Sequence, residues 1–143
     1  MIDQFLLATV ITMASRKPCK VATPRSVAVI VRPILRDANE ALLSDSFWDS
    51  PAEKRFEKRW EALANNNARA ADEALAVLLH FYIGEHSGEE LMDEAVQRGK
   101  RMLPLLRRYQ RCKPMGVAHG LRAVDREIPD LYEVVIAEVA KGK

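Results

Sequence analysis

Seven side chains near the middle of the chain, Glu73, His80, Glu85, His86, Glu89, Glu90 and Asp93, are of the types that bind metal ions or move protons. Helical bundles hold di-iron or zinc with carboxylates and imidazoles on facing helices, and such sites commonly carry a Glu-x-x-His pair on one helix. No Glu-x-x-His occurs here. Glu73 and His80 share a helical face but stand two turns apart, about 10 Å along the axis at a rise of about 1.5 Å per residue, which is a long reach for one ion. His86 and Glu90 are better spaced, yet His86 falls in a predicted turn and Glu90 is taken up by a helix cap. An acidic helix start that complements the helix dipole accounts for the cluster more simply than a metal site. No metal ion, cofactor or catalytic residue is assigned.

Nucleophilic chemistry has little to work with. The histidines are His80, His86 and His119, the serines gather at caps, and no G-x-S-x-G motif is present. No glycine-rich loop follows a strand-like run, so the usual phosphate cradles are missing. Cys19 and Cys112 are far apart and form no C-x-x-C, so neither a disulfide framework nor a zinc site is expected. Lys20, Arg111 and Lys113 would favour the thiolate form. Ordinary reduced cysteines are the expectation, in keeping with a reducing cytoplasm.

The strongest charge asymmetry is a basic run. Arg98, Lys100, Arg101, Arg107, Arg108 and Arg111 are followed by Lys113, Arg122 and Arg126. On a helix Arg101 and Arg108 share a side, as do Lys100, Arg107 and Arg111, so a continuous positive surface is expected, able to meet phosphates or an acidic protein. The competing reading is a solvated outer face, helped by the preference for cations near helix C-termini. The whole chain carries a formal net charge of only +2, so a polyanion partner rests on this local clustering alone. No helix-turn-helix spacing or aromatic stacking set accompanies it.

These residues sit on two predicted arms of one antiparallel helical hairpin, Ala68 to Cys112, reversing at Gly84-Glu85-His86-Ser87. Ser87 and Glu90 form an S-x-x-E capping box, and Gly84 suits a left-handed helix end. In the first arm Ala71, Ala74, Leu75, Leu78, Leu79, Tyr82 and Ile83 recur at helical spacing. In the second, Leu91, Ala95, Met102, Leu106 and Tyr109 form a stripe that Met92, Val96 and Leu103 widen. Gly99 and Pro104 disfavour a regular helix by about 1 and 3 kcal/mol relative to alanine, so a bend is expected there.

The remaining chain reads as helix throughout. Ile2, Phe5, Leu6, Val10 and Met13 share a face near residues 2–15. The apolar run Phe5 to Ala14 is shorter than the roughly 20 residues a bilayer crossing needs. Asp3 stands where a signal peptide carries basic residues, which points to the cytoplasm. Thr23-Pro24 offers a cap and a first-turn proline. Ser26 to Val31 is locally strand-like, but Val27, Val31, Ile34, Leu35, Ala38 and Leu42 continue a helical stripe, so helix is expected, kinked at Pro33.

Ser50-Pro51-Ala52-Glu53 caps a helix running to about Ala64, with Phe56, Trp60 and Leu63 inside and Glu53, Lys54, Lys58 and Glu61 outside. Asn65-Asn66-Asn67 breaks it. Pro114 opens a further helix with Met115, Ala118, Leu121 and Val124. Gly116 and Gly120, one turn apart, reflect packing or a loose turn more than a dimer seam. After Ile128-Pro129 the last stripe is Leu131, Tyr132, Val135, Ile136 and Val139.

With 143 residues, 48% hydrophobic and 29% charged, the composition is that of an ordinary globular protein. The expected fold is all-α: one domain over residues 1–143, a compact bundle of about six helices around the central hairpin. The leading functional expectation is a non-enzymatic interaction or structural module that self-associates as a homo-oligomer, burying Phe5, Leu6 and Val10 across a two-fold axis. The alternatives are an acidic-protein or nucleic-acid binder using the basic face, and a helical-bundle enzyme or metal protein centred on His80. No membrane partner is expected.

Overall fold

The structure, a computed structural model, describes residues 19–42, 50–81, 86–117 and 128–142. The N-terminal apolar run, the connection over 43–49, the hairpin reversal over 82–85, and His119, Gly120, Arg122 and Arg126 lie outside these residues. In chain order the elements are β1 (Cys19–Ala22), α1 (Arg25–Leu42), α2 (Pro51–Ala64), α3 (Arg69–Leu78), α4 (His86–Arg98), a 3-10 turn (Gly99–Met102), α5 (Leu103–Arg111), β2 (Cys112–Met115) and α6 (Ile128–Lys141). The fold is mostly helical, with one short parallel strand pair. That pair corrects the expectation of helix from end to end.

Most of the helical pattern lands where periodicity places it. The strand-like segment Val27–Val31 lies inside α1, whose Val27, Val31, Ile34, Leu35 and Ala38 are buried. That helix continues through Pro33. Its start differs from expectation in one detail. The carbonyl of Pro24 accepts from Val27 and Ala28 at 3.0 and 2.8 Å, while the Thr23 hydroxyl is buried with no hydrogen-bond partner among the described residues. Proline, not threonine, therefore occupies the capping position.

The α2 cap is as its sequence reads: the Ser50 hydroxyl accepts from the Glu53 N–H at 3.1 Å, with Pro51 in the first turn. Glu53 itself is buried rather than outward, beside the buried Ser50. Asn65 ends the helix, its side-chain amide donating to the Glu61 carbonyl at 3.0 Å, and Asn66 accepts from the Ala68 N–H at 2.9 Å.

α3 is the centre of the molecule. Every residue from Ala71 to Leu79 is buried, Asp72 and Glu73 included, as befits a helix covered on all sides. It packs against α1, α4 and α5, while α6 lies across α4 and α5. The helix ends at Leu78, short of Gly84, with the Leu79 N–H donating to the Leu75 carbonyl; the N–H groups of His80 and Phe81 then turn off it by donating to the carbonyls of Val77 and Leu78. All five residues of the predicted second-arm stripe are buried.

The bend expected in that arm is a full interruption. Gly99 has φ +80°, a left-handed value that few side chains tolerate, and the chain makes a 3-10 turn before restarting with Pro104 in the first turn of α5. Beyond α5, Pro114 and Met115 belong to β2 and do not open a helix. The strands pair in parallel with Cys19 opposite Cys112, Lys20 opposite Lys113, Val21 opposite Pro114 and Ala22 opposite Met115. Cys19 and Cys112 are joined as a disulfide, Cα atoms 4.3 Å apart, which overturns the expectation of two reduced thiols.

Candidate functional site

His80 and Glu73 do not converge on a common point; both are tied to Tyr109. The His80 Nε2 lies 2.7 Å from the Tyr109 carbonyl oxygen. A carbonyl only accepts, so His80 carries a proton on Nε2. The Tyr109 hydroxyl donates to Glu73 Oε2 at 2.6 Å, and Arg108 Nη1 is 4.0 Å from that same oxygen. Burial first, then the bond to Glu73, raise the Tyr109 pKa above the ordinary tyrosine value.

Tyr132 packs its ring 5.3 Å from that of His80 and donates its hydroxyl to the Ala76 carbonyl; burial raises its pKa well above the usual value as well. The cluster links α3, α5 and α6 by hydrogen bonds made to one another. Among the described residues no group of three or more His, Cys, Asp or Glu side chains is placed to hold a metal ion. Glu89, Glu90 and Asp93 are exposed at the start of α4, and the side chains of Glu85 and His86 lie outside the described residues.

The basic run divides into two populations. Arg98 is interior, its side chain 4% exposed, and it donates to Asp72 at 2.8 Å and to the Leu63 carbonyl at 2.7 Å. A partner could not reach it. Arg101 is outward but lies 3.1 Å from Asp72, and Arg108 is outward over the Tyr109 ring, 4.0 Å from Glu73 Oε2. Lys100, Arg107 and Arg111 are exposed and form no ion pair among the described residues. Arg107 and Arg111 are four apart on α5 and share one side of it.

The inward turn of Arg98 was legible in principle. Leu91, Ala95, Arg98 and Met102 are spaced as one helical stripe, so Arg98 occupies a core position in an otherwise apolar row. An arginine there needs an internal acid, and α3 supplies Asp72.

The surface that adjoins α5 has no local signature in the sequence. In the parallel pair, Lys20 and Ala22 of β1 and Lys113 and Met115 of β2 fall on one side by strand alternation, and all four are exposed. Val21 and Pro114 turn the other way, Pro114 buried and Val21 half-buried. Lys20 and Lys113 are direct register partners, a like-charge pairing that destabilises the ladder. A two-stranded ribbon is only marginally stable by itself in water. The disulfide, one register position away, offsets that weakness. The residue that follows β2 is also tied to α1, where Arg32 Nε donates to the Gly116 carbonyl at 2.9 Å.

Compared with known protein families, curated proteins and solved structures, the chain matches none of them. No helix among the described residues is long and apolar enough to cross a membrane.

Proposed function

We propose that the chain is a non-enzymatic interaction module that receives an acidic protein segment on the outer side of α5. The observation that supports this reading is the sorting of the cations. Arg98, Arg101 and Arg108 are engaged by Asp72 and Glu73, while Lys100, Arg107 and Arg111 have no acid beside them among the described residues. Structural needs account for the first group and leave the second unexplained. A protein partner suits these residues better than a nucleic acid, because the formal net charge is only +2 and Tyr109, the one aromatic residue of α5, is buried.

Exposed charges contribute more to encounter rate and specificity than to affinity, so binding should be moderate and sensitive to salt. Titration of the full-length chain with a fluorescent glutamate-rich peptide tests this. Affinity should fall as salt rises, and the double variant Arg107→Glu, Arg111→Glu should weaken it by about tenfold or more, equivalent to roughly 1.4 kcal/mol. Absent binding, or affinity indifferent to both salt and charge reversal, rejects the proposal.

A further inference from the structure

The outward face of the strand pair differs in kind from α5. It sets two lysines side by side at one end and an apolar pair, Ala22 and the 42% exposed Met115, at the other. β2 follows directly on Arg111, one of the α5 cations with no acid beside it among the described residues. Such a surface is complementary to an extended segment that carries carboxylates next to an apolar side chain.

β1 is held to the rest of the described chain by its ladder with β2, by the Thr23 N–H donating to the Met115 carbonyl at 3.2 Å, and by the disulfide. Cys19 is exposed and Cys112 half-buried, so a small thiol reagent can reach the bond.

We propose that Lys20, Lys113, Ala22 and Met115 form a docking face for an acidic peptide segment bearing an apolar residue, and that the Cys19–Cys112 disulfide keeps this face assembled. The proposal rests on the reading of the chain as an acidic-partner module and adds its second contact and its regulation. Reduction by a cellular dithiol or a glutathione-class thiol delivers two electrons and two protons. The S–S bond becomes two thiols, and the reductant is oxidised to its own disulfide. The like-charged lysines then separate, since a four-residue ladder and the Thr23–Met115 hydrogen bond oppose their repulsion without a covalent tie. The buried core is not part of this change.

The test uses the full-length oxidised chain and three labelled probes: a peptide alternating glutamate and leucine, a glutamate-only peptide of equal charge, and a single-stranded oligodeoxynucleotide of equal charge. The glutamate–leucine peptide should bind best. Lys20→Glu with Lys113→Glu should weaken it by about tenfold or more, and dithiothreitol, or Cys19→Ser with Cys112→Ser, should do the same. Met115→Ser should weaken the glutamate–leucine peptide and spare the glutamate-only one.

Equal binding by oxidised and reduced protein overturns the inference. So does a Lys20/Lys113 reversal without effect; if Arg107→Glu with Arg111→Glu still weakens binding, the α5 reading stands without it. Tighter binding of the oligodeoxynucleotide than of either peptide overturns the acidic-peptide assignment. No binding to any probe removes both readings. The lysine variants alter only exposed side chains, so the result does not depend on whether the cysteine variant folds.

Discussion

Tyr109 makes three separate connections with one side chain and one peptide unit: its carbonyl fixes the protonated nitrogen of His80, its hydroxyl serves Glu73, and its ring lies under Arg108, 5.6 Å away. Removing the hydroxyl leaves a buried carboxylate one donor short, and hydrogen bonds to charged groups are worth about 1.5–3 kcal/mol. Tyr109→Phe should therefore lower stability by about 2 kcal/mol in chemical denaturation. The raised pKa values of Tyr109 and Tyr132 add a pH dependence. In the unfolded chain both ionise near pH 10, while in the folded chain both stay protonated beyond it. The unfolded state then binds fewer protons, so stability is fully present below about pH 10 and declines above it. Each tyrosine contributes a slope of about 1.4 kcal/mol per pH unit until its folded pKa is reached. Alkaline difference spectra should show these two phenols ionising together with unfolding, and Tyr109→Phe should roughly halve the slope. Ionisation of both near pH 10 in a chain that stays folded would contradict the buried cluster.

At the scale of elements, Gly99 separates α4 from α5 by conformation and not by space. A Cβ there would meet nothing within 4 Å, yet φ is +80°. An alanine in the left-handed region costs about 1–2 kcal/mol. Within a regular helix the same replacement would instead gain about 1 kcal/mol. Gly99→Ala should thus destabilise, and a stabilised variant would mean that the second arm is one continuous helix. The residues of that arm were readable because burial follows the helical period on both sides of the break: Leu91 and Ala95 before it, Met102, Leu106 and Tyr109 after it. The strands were not readable for the opposite reason. Cys-Lys-Val-Ala and Cys-Lys-Pro-Met show no clear alternation, each is four residues long, and their partnership spans a sequence separation of 93. Pairing of that kind is a tertiary fact with no local signature. The basic run was legible as composition, and the helical stripe sets Arg98 apart from Arg107, but only the packing of α3 against α4 shows which acid, Asp72, receives it.

For the whole molecule, the disulfide closes a loop that contains α1 to α5, so its largest effect falls on the unfolded chain. Loop-closure entropy for about a hundred residues is worth roughly 4–5 kcal/mol, and losses on removing native disulfides run to about 2–5 kcal/mol. Disulfides persist in oxidising surroundings and are rare in the cytosol. The bond therefore conflicts with the expectation of reduced thiols in a reducing cytoplasm; in such a compartment the chain would have to function with less of this stabilisation. The core itself does not depend on the bond, because the buried faces of α1, α3, α5 and α6 meet without it, and Asp37, buried between Arg55 and Arg59 at 3.2 and 2.7 Å, independently ties α1 to α2. Cys19→Ser with Cys112→Ser should accordingly keep its far-ultraviolet helical signal and lose about 2–5 kcal/mol of stability. Its denaturant m-value should rise, since an uncrosslinked chain exposes more surface on unfolding. Dithiothreitol should bring the wild-type chain to the same midpoint. A variant that unfolds at the wild-type midpoint would show that the bond constrains neither state, and a variant without helix would show that the fold requires it.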